Sequence, residues 1–313
     1  MLGYLLRRVA ATLPAVAVVA VLVFLLLRIT PGDPAAILAG DAASPEQIAR
    51  IRENLGLNEP LLVQFFIWLK QIAIGDLGES FYFKIRVVDL IAQRLEPTLS
   101  LALLTIVVAV LVSVPLGTLA AWRFGGWLDR SLMGFSVMGF SVPVFVLAYI
   151  LIWLLSVKLG WFPVQGFKRL SDGFGPFLYH LILPAVTLSV IYIALIARVT
   201  RASVLEALGE DYIRTARAKG LRESQVLVRH ALANAAIPIV TVVGIGVALL
   251  IGGVVVTESV YAIPGLGRLT VDAVLARDFP TIQGLILFFS LLYVFVNLLV
   301  DLSYVVFDPR IRY

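Results

Sequence analysis

Runs of about twenty consecutive apolar residues recur along this chain, and they leave few folds open to it. A hydrocarbon layer about 30 Å thick is crossed by about 20 helical residues. Six stretches have that length: Ala10–Leu27, Thr98–Trp122, Ser131–Val157, His180–Arg198, Ala235–Thr257 and Ile282–Val306. Lipid offers no water to backbone N–H and C=O groups, so each run must satisfy its own hydrogen bonds as a helix. The expected fold is all-α: a polytopic membrane bundle of about six transmembrane helices. With 60% hydrophobic and 14% charged residues, the chain is too apolar for a soluble globule.

The net charge of +5 points to membrane orientation rather than to nucleic acid, because the basic residues cluster in alternate connections. Arg7 and Arg8 precede the first run, and Arg123 and Arg130 flank the second connection. The fourth carries Arg201, Arg214, Arg217, Lys219, Arg222 and Arg229, and the tail ends in Arg310 and Arg312. The opposite segments mix signs, with Asp33, Asp41, Glu46, Glu53, Glu59, Asp76 and Glu79 against Arg50, Arg52 and Lys70. The positive-inside rule then puts both termini and the fourth connection in the cytoplasm of a multi-pass inner-membrane protein. The first run is too long for a signal peptide and is followed by no small-x-small cleavage site, so it reads as an uncleaved anchor.

Three parts are expected: residues 1–28 with the first span, a small external helical cap over 29–97, and a core of spans two to six over 98–313. In the cap, Ser44-Pro-Glu-Gln47 has the pattern of a capping box with proline at the first helical position, and Gly56 supplies the stop. A second helix from Pro60 carries Leu61, Leu62, Phe65, Phe66, Leu69 and Ile72 before Gly75. Its aromatic face suits either other protein or the membrane interface. Pro143 predicts a kink or tilt in the third span. In the fifth, Gly244, Ala248 and Gly252 recur every fourth residue, a stripe that lets a helix approach closely. It serves packing within the subunit or lines a translocation path. Glu258, just beyond, faces either that path or an external partner.

The cytoplasmic connection 201–234 is more ordered than a linker needs to be. Glu210 to Lys219 predicts a short helix with Glu210 and Asp211 at its positive end and Arg217 and Lys219 at its negative end. Gly220 follows as the left-handed stop, and a second helix starts near Arg222. Tyr212, Ala216 and Leu221 are the groups expected to enter a partner's groove, with Arg217 and Lys219 at the rim.

Arg214-Thr-Ala-Arg-Ala-Lys-Gly220 resembles the EAA loop of ABC importer permeases, whose Glu-Ala-Ala-x-x-x-Gly pattern forms a coupling helix. Ala216 and Gly220 match, while Arg214 and Thr215 replace the Glu and first Ala, a departure associated with the peptide-importer branch. Arg28-Ile-Thr-Pro-Gly-Asp-Pro34, Gly75-Asp-Leu-Gly78, Leu159-Gly-Trp-Phe-Pro163, Pro264-Gly-Leu-Gly-Arg268, Asn297-Leu-Leu-Val-Asp301 and Asp308-Pro-Arg-Ile-Arg-Tyr313 resemble segments of the dipeptide/oligopeptide permease family, in family order. The resemblance implies a type I permease fold and the first-named of two homologous permease subunits. It also implies two cytoplasmic ABC ATPases, a solute-binding protein outside and a peptide or glutathione-like substrate, with a nickel chelate as the alternative. The docking segment implied is Asp211, Tyr212, Arg214, Thr215, Ala216, Arg217, Ala218, Lys219, Gly220 and Leu221.

No lysine follows a glycine, so the chain holds no P-loop; it is expected to bind no cofactor, with ATP and Mg carried by the ATPase partners. With Cys 0 it has no thiolate ligand, and His180 and His230 lack metal-ligand spacing, so neither a metal nor a catalytic residue is expected. The rival function is an ATP-independent secondary transporter or channel. That reading predicts paired charges within spans or inverted repeats, and neither is evident here.

Overall fold

The computed structural model describes residues 2–29, 35–36, 44–54 and 56–307, without the side-chain surroundings of 2–9, 27, 29, 51, 54, 251–253 and 304–307. Thr30–Pro34, Asp41, Leu55 and the tail 308–313 therefore lie outside the described residues. The chain is helical, and it divides into two compact units, Met1–Arg94 with Leu269–Val294, and Leu95–Arg268 with Phe295–Tyr313.

In the first unit, helix α1 (Leu2–Ile29) precedes two short helices, α2 (Pro45–Asn54) and α3 (Leu61–Ala73). The capping box forms as its sequence predicts. The Gln47 N–H donates to Ser44 Oγ at 3.3 Å, and the Ser44 N–H donates to Gln47 Oε1 at 2.9 Å. Gly56 and Gly75 both adopt positive φ after their helices. The aromatic face of α3 finds protein: Phe65 and Trp68 pack 5.1 and 5.6 Å from the Phe24 ring of α1. Sequence reading missed the carboxylate of Asp278, which is fully buried. It accepts from Ser80 Oγ at 2.5 Å, the Phe81 N–H at 2.9 Å and Thr281 Oγ1 at 2.7 Å. It thereby ties Thr281 in the first turn of the last helix, α11 (Phe279–Phe307), to the 80–83 turn.

Helix α4 (Val87–Trp122) starts well before the expected Thr98 and runs through Pro97 and Pro115. The boundary between the two units falls at Arg94–Leu95, within this helix and just before Pro97. The third span departs from expectation. Instead of one kinked helix there are two, α5 (Trp127–Ser141) and α6 (Val144–Leu151), the second continuing in π-winding over Ile152–Lys158; they meet at 103°. Proline explains the break. Pro143 has no N–H to offer and disfavours α geometry in the preceding residue, and Val142 is extended at ψ 121°. Helix α7 (Phe174–Leu208) has 35 residues, longer than the predicted span at both ends. Among the described residues, three helices pass as spans by length and composition, or five with each bent pair taken as one. The apolar stretch Ala10–Leu26 of α1 is shorter. The expected count of six is met only with that stretch included.

The core of the second unit packs Leu101 of α4 with Leu181, Leu188, Tyr192 and Ile196 of α7 and with Leu250 of α9 (Ala236–Val260). A part-buried ion pair adds to it. Asp129 near the start of α5 takes the Arg201 guanidinium of α7 through both oxygens, one of them at 2.9 Å. Charge asymmetry assigned the second and fourth connections to one side, and this pair joins the same two regions.

Glu258 is 0% exposed and faces neither a path nor the exterior. It accepts from Thr98 Oγ1 at 2.5 Å and from the Arg268 N–H at 2.9 Å, while Thr98 Oγ1 accepts the Leu266 N–H at 2.8 Å. Two side chains from other helices thus satisfy the free N–H groups at the start of α10 (Leu266–Leu275). The closeness accounts for the glycines in Pro264-Gly-Leu-Gly-Arg268. A Cβ on Gly265 would meet Glu258 Oε1 at 2.0 Å, and one on Gly267 would meet Val255 Cα at 2.7 Å. Gly265→Ala should therefore lower stability by about 1–3 kcal/mol. Thermal unfolding of the purified protein in detergent measures this, and an unchanged transition would contradict it.

Candidate coupling helix

The Asp211–Ala218 segment forms the predicted short helix, α8, one residue short of expectation at each end: Glu210 is its N-cap and Lys219 its C-cap. Its termination is a Schellman motif. The Gly220 N–H bonds to Arg217 O at 2.9 Å and the Leu221 N–H to Ala216 O at 3.3 Å, with Gly220 at φ +78°. A Cβ at Gly220 would meet nothing within 4 Å. The requirement for glycine is therefore torsional: an L side chain in left-handed geometry is disfavoured by about 1–2 kcal/mol.

Two residues of α8 turn inward, Ile213 and Ala216, one helical turn apart. They sit in a cluster with Val204 and Ala207 from the end of α7, Ala121 from the end of α4, Val226, Leu227 and Ala231, and Ile239 of α9. The expectation for Ala216 is corrected here. It is buried within its own chain and unable to enter a partner's groove. Ile213, missed from sequence, is its companion. Tyr212, Arg214, Thr215, Arg217, Ala218, Lys219, Gly220 and Leu221 remain exposed, as does Asp211. Desolvation and, second, the Glu210 carboxylate push the Tyr212 phenol above its ordinary range.

Exposed contacts hold the rest of the loop. Arg217 clamps Glu223 with Nε at 2.8 Å and Nη2 at 3.3 Å, tying α8 to the helical stretch Glu223–Leu232 beyond the glycine. Arg214 reaches Asp211 at 3.2 Å. The second helix begins where expected but winds as a π-helix over Val226–Leu232 and bends by 60° into α9. On α9, Gly244 is set against α11, where a Cβ would strike Val300 Cγ2 at 2.3 Å. This part of the small-residue stripe packs within the chain. Ala248 is half-buried, and the surroundings of Gly252 lie outside the described residues.

Residues 113–313 match the family of binding-protein-dependent transport system inner membrane components, and residues 1–102 match the N-terminal region of such membrane components. The chain belongs to this family. Among similar permeases, a probable peptide ABC transporter permease of Sinorhizobium fredii is 54% identical, with 99% of each chain covered. A putative peptide transport system permease of Brucella abortus is 47% identical, with 100% of both chains covered. The glutathione transport system permease of Escherichia coli is 44% identical, again over 100% of both. A chain of the MetNI methionine ABC transporter, solved in inward facing conformations, shares the fold at TM-score 0.58 and 19% identity, covering 70% of this permease and 96% of that chain.

Gly220→Val should leave membrane insertion of the permease intact while loosening the Schellman stop. With about 1–2 kcal/mol of strain at that residue, tryptic cleavage at Arg217, Lys219 and Arg222 should speed up about tenfold. Equal cleavage rates would contradict the torsional account.

Proposed function

We propose that this permease is one subunit of an ATP-driven importer of peptides, paired with a second, homologous permease and served by an extracytoplasmic binding protein. Two cytoplasmic ATPases grip the exposed face of α8 and its partner's equivalent, and ATP with Mg stays on those ATPases. The subunit does no covalent chemistry. Both termini lie in the cytoplasm, together with the loop that carries α8.

The observation that carries the reading is the division of α8 into two faces. Ile213 and Ala216 are buried against the ends of α4, α7 and α9, while Tyr212, Thr215, Lys219 and Leu221 are open to a partner. Only Gly209 and Glu210 separate α8 from α7, whose 35 residues reach about 50 Å at 1.5 Å per residue. A push on α8 therefore acts on a long helix through a packed joint. ATPase closure displaces the joint, and the helices that converge on it open the path outward. The names of the relatives, which carry peptides or glutathione, support a peptide substrate.

Ala216→Leu tests the joint. Forcing a larger side chain between α8 and its cluster should disturb packing by about 1–3 kcal/mol without touching the exposed face. In the reconstituted complex, ATP hydrolysis should persist, and its stimulation by peptide-loaded binding protein should fall along with peptide uptake. Full uptake would refute transmission through this face. Competition of uptake by dipeptides, longer peptides, glutathione and nickel chelates would identify the substrate separately.

A further inference from the structure

We propose that α3 lies in the boundary layer of the bilayer, with its Leu62–Phe66–Leu69 face buried among lipid acyl chains at the end of the membrane where α1 stops. Thirteen residues reach about 20 Å, too short to cross a hydrocarbon layer about 30 Å thick. One side of the helix is occupied by its own chain through Phe65, Trp68 and the buried Gln64. Leu62, Phe66 and Leu69 follow one another at helical spacing on another side, and Leu62 and Phe66 are 74% and 63% exposed. Helix α2 of the same unit is built the opposite way, with Glu46, Arg50, Arg52 and Glu53 all exposed. α2 suits water, whereas α3 has Lys70 as its one charge.

Three observations select lipid as the occupant. The exposed apolar residues of α1, Leu13, Val18 and Leu22, run to within one turn of Phe24, the residue that meets α3, so α3 is seated at the end of an apolar helix. At that turn α1 changes from apolar to polar. The Arg28 guanidinium sits 3.5 Å from the centre of the Phe24 ring and donates to Gln64 Oε1 at 2.8 Å. Trp68 in this aromatic cluster has the amphipathic ring that collects at a membrane boundary, and Arg28 lies beside it on Phe24. Finally, the Leu62–Phe66–Leu69 face offers no charge or hydrogen-bonding group by which a protein would choose it, whereas acyl chains require none.

The chain has Cys 0, so a single cysteine carries a single spin label. Leu62→Cys, Phe66→Cys and Leu69→Cys, with Glu59→Cys as the control, are labelled with a nitroxide. Each is studied in the intact importer reconstituted into phosphatidylethanolamine–phosphatidylglycerol vesicles, after uptake is shown to be retained. Collisions with oxygen should exceed those with the water-soluble nickel(II) ethylenediaminediacetate at positions 62, 66 and 69. The ratio should reverse at position 59. Dominant nickel collisions at positions 62 and 66 would put the face in water and overturn the proposal. Low collision rates with both reagents would show a protein covering it and overturn the proposal equally.

Discussion

Burial of Ile213 and Ala216 against the ends of three helices is the contact on which the functional reading depends. The rest of α8 is mainly polar, and the ion pairs of its loop are exposed; such pairs contribute about 0–1 kcal/mol each. Without an apolar anchor α8 would be an isolated helix of 8 residues, well below the length at which helices persist alone in water. The anchor gives it a fixed orientation. Once it is seated, Gly220 reverses the chain, Arg217 ties the returning segment through Glu223, and the exposed face is presented as one rigid surface.

Three buried or part-buried carboxylates set the remaining geometry through partners within the chain. Glu258 and Thr98 supply the cap that α10 lacks, and Asp278 joins Thr281 of α11 to the turn at Ser80. Asp129 and Arg201 pair across α5 and α7. In an apolar bundle an unpaired carboxylate or guanidinium is strongly unfavourable, so these contacts restrict how the helices are placed. Thr105, Ser113, Thr200 and Thr257 are the buried hydroxyls without a hydrogen-bond partner among the described residues.

The sequence disclosed what local chemistry decides. The start and stop of α8, the capping box at Ser44 and Gln47, and the positive φ of Gly56, Gly75 and Gly220 follow from residue types a few positions apart. Side-chain destinations did not follow. Tyr212 and Ile213 are adjacent and both apolar in part, and only the cluster of Val204, Ala207 and Val226 decides that Ile213 turns in. Pro143 signalled an interruption, yet the 103° angle depends on what α5 and α6 pack against. Glu258 looked available to a partner because its takers, Thr98 and the Arg268 N–H, are 160 and 10 residues away in sequence. Helix α4 runs through Pro97, where local rules place a boundary.

The central claim is that α8 and α7 move as one body. Nitroxides at Val186 and Tyr212, both exposed positions, report the distance between the middle of α7 and α8. Pulsed electron paramagnetic resonance on the reconstituted importer, without nucleotide and with trapped ATP, measures that distance in both states. The account predicts one narrow distribution with the same centre in each. A nucleotide-dependent shift, or a second population in either state, would show α8 moving on a slack joint and would contradict it.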